Sequence, residues 1–192
     1  WLPSIVKKFR KQNPAVSIDI VTEATRQPLV FLQDGKLDIA ITDIKPVLPP
    51  GYKSDFLFED EFILLVSKYS QLARLKQLEP ANLNGTDLFI YDIHEKNSIV
   101  VNHFIRPNNI ELNSLVKLQL TEGIIEMVAA DLGVTIMPTW IASPYLNQHE
   151  IIAIKLPGKR LRRKWYAVSY KKAGKTTRDL IGLLQNELRT KR

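Results

Sequence analysis

Thr121-Glu122-Gly123-Ile124-Ile125-Glu126-Met127-Val128-Ala129-Ala130-Asp131-Leu132-Gly133-Val134-Thr135-Ile136-Met137-Pro138 carries two kinds of order in one stretch. Ile124, Ile125, Met127 and Val128 fall on one face at helical spacing, which predicts a helix from Thr121 through Ala130, with Thr121 as its N-cap and Gly133 as its end. Val134 to Met137 is then an uninterrupted apolar strand, halted by Pro138. A helix that feeds straight into an apolar strand is half of an α/β unit.

The same pattern extends in both directions. Upstream, Val116 to Leu120 and Asp87 to Tyr91 read as strands, with a short helix from Ser98 to Phe104 between them. Before these stand a strong strand, Phe62 to Val66, and a weaker one at Phe56 to Leu57. Leu2, Ile5, Val6 and Phe9 predict an opening helix that Asn13-Pro14 stops, since the residue before proline is kept out of the α region. Val16, Ile18 and Ile20 alternate as a strand should. Pro28 opens a second helix that presents Leu29 and Leu32 inward, and Asp34-Gly35 closes it. Asp38 to Ile41 reads as a strand buried on both faces, the mark of a parallel sheet, and a loop with Pro46, Pro49, Pro50 and Gly51 follows. Downstream, Ile151 to Leu156 and Trp165 to Tyr170 are strands. A last helix runs from about Thr177 to Leu188, with Thr176 or Thr177 as cap, Asp179 at its positive end and Leu180, Leu184 and Leu188 inward.

Alternation of this kind predicts an α/β fold with a mostly parallel sheet, divided into two Rossmann-like lobes with a ligand crevice between them. Residues 1–66 with 148–192 are expected to make lobe I, and residues 67–147 lobe II. The chain has 192 residues and is 45% hydrophobic, enough for a folded core, and no apolar run approaches the length of a membrane span. It holds no cysteine, which removes thiol chemistry and disulfides and fits a reducing compartment, so the cytoplasm is the expected location. The opening at Trp1 reads as a fragment of a longer protein. Net charge is +7, with much of the excess in Lys159-Arg160-Leu161-Arg162-Arg163-Lys164 and the tail from Arg189 to Arg192, which are read as solvated surface.

Few constellations point to catalysis. His94, His103 and His149 lie on different elements, and Asp92, His94 and Glu95 read as a polar loop, so neither metal nor cofactor is expected. Tyr170-Lys171-Lys172-Ala173-Gly174-Lys175-Thr176-Thr177 follows a strand and opens a helix as a phosphate loop would, but Ser169 stands where the first glycine is required. The candidates that remain are strand-to-helix junctions, because open α/β sheets bind ligands outside the carboxyl ends of their strands. They are Thr22, Glu23 and Thr42 in the first lobe, and Tyr91, Asp92, Thr121, Glu122, Met137, Pro138 and Thr139 in the second. Thr121 is the sharpest of them, since a helix N-terminus offers free amides and partial positive charge to a carboxylate.

Leu2-Pro3 with Phe9 and Pro14-Ala15-Val16, Leu37-Asp38-Ile39-Ala40-Ile41, and Met127 to Pro138 together resemble the effector-binding domain of LysR-type transcriptional regulators, and the likeness spans nearly the whole chain. Ile90-Tyr91, Met137-Pro138-Thr139-Trp140 and Pro144-Tyr145-Leu146 are similar to the branch that regulates methionine biosynthesis, whose effector is homocysteine. The resemblance implies a periplasmic-binding-protein-like fold of type 2 that binds a small-molecule effector. It further implies promoter DNA held by a preceding winged helix-turn-helix domain that these residues do not include, and assembly as a homodimer or homotetramer. Under it, Thr121 takes an effector carboxylate and Glu23 or Glu122 an effector amine. Asp131 departs from the pattern, standing where many relatives carry a small or basic residue. The competing reading is an extracytoplasmic solute-binding protein of a transporter, which has the same two-lobed architecture. An enzyme is disfavoured because no acid–base pair or nucleophile is evident.

Overall fold

The computed structural model describes residues 2–43, 47–158 and 160–189. Trp1, Pro46, Lys159 and the tail after Arg189 lie outside the described residues, as do the side chains of Arg26 and Arg189. Two compact units divide the chain: residues up to Glu59 together with those from Arg163 onward, and Asp60–Arg162. The sequence reading draws its lobe boundaries in loops, at 66/67 and 147/148. The units change over inside one strand and at the start of another.

Unit 2 is built on the second half of β2 (Tyr52–Ser67). The apolar patches at Phe56 and at Phe62 to Val66, expected as two strands, are one continuous strand. Its neighbours follow from the register: β6 (Ile151–Lys155) runs antiparallel on one side and β5 (Val134–Pro138) antiparallel on the other. Beyond β5 come β3 (Asp87–Tyr91) and β4 (Ser114–Leu118), with β3 parallel to both β5 and β4. Helix α3 (Thr121–Ala129) and the short α4 (Thr139–Ala142) flank β5 in sequence. Side chains alternate along a strand, so β2 feeds two cores. Phe62, Leu64 and Val66 join Leu88, Ile90, Val134 and Ile136 beneath Val100, Val101, Phe104 and Ile105. Ile63 and Leu65 join Phe89 and Met137 beneath Ile124, Ile125 and Val128 of α3. Cover on both faces is why these strands read as unbroken apolar runs. The helix expected at Ser98 to Phe104 is less regular, with a π turn at Val101–Ile105 running into a 3-10 turn at Arg106–Asn108.

Unit 1 pairs β1 (Ala40–Thr42) antiparallel with β7 (Arg162–Tyr170), which in turn lies beside the first half of β2. Helices α1 (Leu2–Gln12) and α2 (Pro28–Gln33) form as the spacing predicts, and Gly35, at φ 70, supplies the left-handed residue after α2. Helix α5 (Lys175–Arg189) packs against α1, where Lys8 and Glu187 pair at 2.7 Å. It starts before the expected Thr176 or Thr177 cap: the Arg178 amide donates to the Gly174 carbonyl, which puts Gly174 at the cap position and leaves the first turn without an acid.

Two expectations fail in unit 1. Val16 to Ile20 forms no strand, and Ile20 is 65% exposed: alternation marks a half-buried extended segment, but a strand also needs a ladder partner. The buried run of β1 predicts a parallel strand, yet its partner β7 is antiparallel. The sheet as a whole is mixed, and parallel pairing among the described ladders centres on β3.

Candidate functional site

Register brings the carboxyl ends of three strands to one edge of unit 2. Tyr91, last in β3, faces Leu118, last in β4, while Phe89 faces Thr135 of β5, so Pro138 ends beside them. Helix α3 begins three residues after β4. That short return places Thr121 against Tyr91, with Oγ1 2.7 Å from the phenol oxygen.

Thr121 is not the N-cap that its sequence position suggests. Leu120 occupies that place with extended backbone (φ −104, ψ 131), its side chain 69% exposed, and no side chain caps the helix. The threonine hydroxyl instead turns to Tyr91. The result is a helix N-terminus whose first amides carry no side-chain cap, flanked by two hydroxyls that share one hydrogen bond and so offer a ligand one O–H between them, while both oxygens can accept.

Glu122 stands next along α3 and accepts a hydrogen bond from Tyr145 Oη at 3.1 Å. Burial, foremost, and then the Glu122 carboxylate raise the Tyr145 phenol above its ordinary value of 10.0, which keeps it protonated and donating. One turn on, Glu126 pairs with His149 at 3.1 Å, and the His149 ring lies 5.6 Å from that of Tyr145. Two contacts thus tie the segment after α4 to α3. In the sequence Tyr145 carries only the resemblance to the family, and no spacing rule links its position to Glu122.

The other candidates in this unit divide. Asp92 is exposed, and its amide donates to the Leu118 carbonyl, extending the ladder. Met137 is 1% exposed and packs in the core with α3, and Pro138 is buried. Thr139 donates from Oγ1 to the Glu61 carbonyl at 2.7 Å, which fixes the start of α4 to β2.

In unit 1, Thr22 and Glu23 are exposed on a 3-10 turn (Thr22–Arg26) that Thr25 closes by donating to the Thr22 carbonyl. Thr42 ends β1 opposite Tyr166 and is 8% exposed. Beside it lies a cluster that the sequence reading missed. Asp43 pairs with Arg163 at 3.0 Å, the Arg163 guanidinium sits 4.5 Å above the Trp165 ring, and Trp165 stacks on Phe58 at 5.9 Å. Arg163 lay inside a run read as solvated loop. Alternation was the available sign: Arg162 and Lys164 are exposed, while Arg163 and Trp165 are half-buried.

Among the described residues, no group of three or more His, Asp or Glu side chains could hold a metal ion, and no helix is long and apolar enough to cross a membrane. His94 instead accepts from the Lys96 amide, and Glu95 pairs with Arg106.

A chain that begins in one α/β unit, builds a second and returns by a strand to the first has the discontinuous organisation of two-lobed α/β ligand-binding domains. Residues 1–189 match the LysR substrate binding domain, and the chain belongs to that family. It is 29% identical over 168 residues to the HTH-type transcriptional regulator MetR of Escherichia coli (strain K12), covering 87% of this chain and 52% of that protein. MetR of Buchnera aphidicola subsp. Schizaphis graminum is 31% identical over 169 residues, covering 87% and 53%. The chain therefore spans about half the length of the curated relatives it matches. Among solved structures, the regulatory domain of a mutant MetR, a LysR family regulator from N. meningitidis, superposes with a TM-score of 0.80 at 22% identity, over 100% of this chain and 89% of that one. The Synechocystis PCC6803 CcmR regulatory domain in complex with 2-PG gives 0.82 at 13% identity, over 99% and 92%.

Proposed function

We propose that this chain is the effector-sensing domain of a cytoplasmic, homo-oligomeric LysR-type regulator. In this reading promoter DNA is held by a helix-turn-helix domain outside these residues, and the effector is a small amino acid related to homocysteine. The family supports the sensing role, and its regulator members favour it over a solute-binding protein of a transporter. The observation that carries the ligand assignment is the Thr121–Tyr91 hydroxyl pair at the uncapped start of α3. There the one O–H left by the hydroxyl pair and the first amides would receive the effector carboxylate. Glu122, steadied by Tyr145 through one oxygen, would meet the effector amine with the other, and Glu23 is the alternative partner. Bound effector would act by favouring one of two states of the protein and so alter its hold on the promoter.

Thermal unfolding with a panel of amino acids and thiol-bearing metabolites tests the proposal. A ligand present at about 100 times its Kd adds roughly 2.7 kcal/mol of stability, so a true effector raises Tm visibly. If homocysteine and its relatives leave Tm unmoved while a compound without an amino-acid head raises it, the effector class is wrong. If no metabolite shifts Tm or alters promoter binding by the full-length protein, the sensing role itself fails.

A further inference from the structure

Charge is divided unevenly between the two units. Residues up to Glu59 with those from Arg163 onward hold 17 Lys and Arg against 9 Asp and Glu, a net of +8, whereas Asp60–Arg162 hold 10 against 11, a net of −1; together these make the +7 of the chain. One basic group of unit 1 stands on the turn from β7 into α5. Lys171, Lys172 and Lys175 are exposed, and none of them makes an ion pair among the described residues. Arg178 folds back to donate to the Ala173 carbonyl at 2.5 Å, which brings a fourth cation to the same turn.

This arrangement works against the helix. A cation beside the positive end of a helix dipole is disfavoured by roughly 0.3–1 kcal/mol, and neighbouring cations repel one another as well. The first turn of α5 offers no carboxylate to offset this. The nearest carboxylate, Asp179, stands one residue past that turn and makes no ion pair with these cations among the described residues, so the local cost favours an anion supplied from outside. Four exposed cations around one turn, with neither the glycines of a phosphate loop nor a buried polar side chain to shape a pocket, suit an extended polyanion better than a single phosphate.

We infer that the basic turn Lys171, Lys172, Lys175 and Arg178 is an accessory, sequence-independent contact for the phosphate backbone of duplex DNA. The choice of DNA as the polyanion rests on the regulator reading, which brings the protein to a promoter. The contact would add affinity and restrict how the domain lies on flanking DNA without reading bases.

Fluorescence anisotropy of this chain with a labelled duplex of arbitrary sequence tests it. Four phosphate contacts give a slope of log K against log salt of about −3.6, or roughly a hundredfold loss between 50 and 200 mM salt. Lys171→Gln, Lys172→Gln and Lys175→Gln combined should flatten that slope by about 2.7, and the corresponding Glu replacements should weaken binding at least tenfold, or by about 1.4 kcal/mol. Lys76→Glu, Lys96→Glu and Lys117→Glu, exposed in unit 2, make the same change in net charge and should leave binding nearly unchanged. The inference is overturned if the chain does not bind DNA at the lowest salt, if both Glu triples weaken binding equally, or if anionic phosphatidylserine vesicles are bound and DNA is not. Effector-induced stabilisation of the same chain is read separately, so a chain that senses its ligand but ignores DNA loses only this inference.

Discussion

The start of β3 shows how much one residue can decide. A Cβ on Gly133 would stand 2.4 Å from the Asp87 carbonyl oxygen and 2.8 Å from a Phe89 ring carbon, so glycine is there to let α3's exit pass against β3. It does not provide the left-handed turn that ends the helix; Asp131 does, at φ 59, one of the few side chains that tolerate that region. The two positions should therefore respond in opposite directions. Gly133→Ala should lower stability by roughly 1–3 kcal/mol, through backbone that must shift, and Asp131→Gly should raise it by about 1 kcal/mol. Urea unfolding of the two variants decides the assignment, and a destabilised Asp131→Gly would refute it. Asp87 itself accepts from Ser114 Oγ at 2.6 Å and Asn113 Nδ2 at 2.7 Å, and these bonds, Ser114 first, hold its carboxyl below the ordinary 3.8. A lowered folded value means stability that is present above pH 3.8 and lost as the pH falls through Asp87's own value. The Tm gap between wild type and Asp87→Ala should accordingly be full near neutrality and shrink below that point.

At the scale of elements, what could be read from the sequence was what an element decides alone. The helices α1 and α2, the strands β3, β5 and β6, and the junctions at Tyr91 and Thr121 all follow from local spacing and stop signals. What could not be read depends on a partner. Val16 to Ile20 has strand alternation without a ladder, β1 has a parallel-looking composition beside an antiparallel neighbour, and the division of β2 between two units leaves no mark on its apolar pattern. Thr121 belongs to the same class of error: a threonine at a helix start is a cap by default, and only the nearness of Tyr91 turns its hydroxyl elsewhere. The uncapped end yields a prediction that belongs to α3 as a whole. Leu120 already has the extended backbone of a cap residue, so Leu120→Ser should stabilise the ligand-free protein by about 1 kcal/mol. Its new hydroxyl would bond to an amide that the proposed site offers to the effector, so under that proposal ligand affinity should fall. Calorimetric titration together with Tm reads both effects, and a stabilised variant with undiminished affinity would move the carboxylate site away from α3.

For the molecule as a whole, the distribution of cover predicts where it opens first. The second half of β2 is flanked by β5 and β6, and its side chains alternate into two cores, one capped by α3 and the other by the irregular helix around Phe104. Ladder amides there can be exposed only by dismantling both layers of unit 2. β1 is three residues long, and among the described ladders only β7 bonds to it. Its core partners are few, with Leu32 of α2 and Val168 of β7 buried beside Ala40. Opening free energy scales with the buried contacts that must be broken. Native-state hydrogen exchange should therefore find the slowest ladder amides in Ile63 to Val66 and Phe89, near the global unfolding limit, with Ile41 and Thr42 faster by at least tenfold. Equal protection in β1 and β2 would mean that the two units unfold as one cooperative block. Saturating effector adds a second comparison. If the ligand contacts lie at α3, protection should rise most at Thr121 to Gly123, the amides with no side-chain cap, and a rise confined to Thr22 to Thr42 would transfer the main ligand contacts to unit 1.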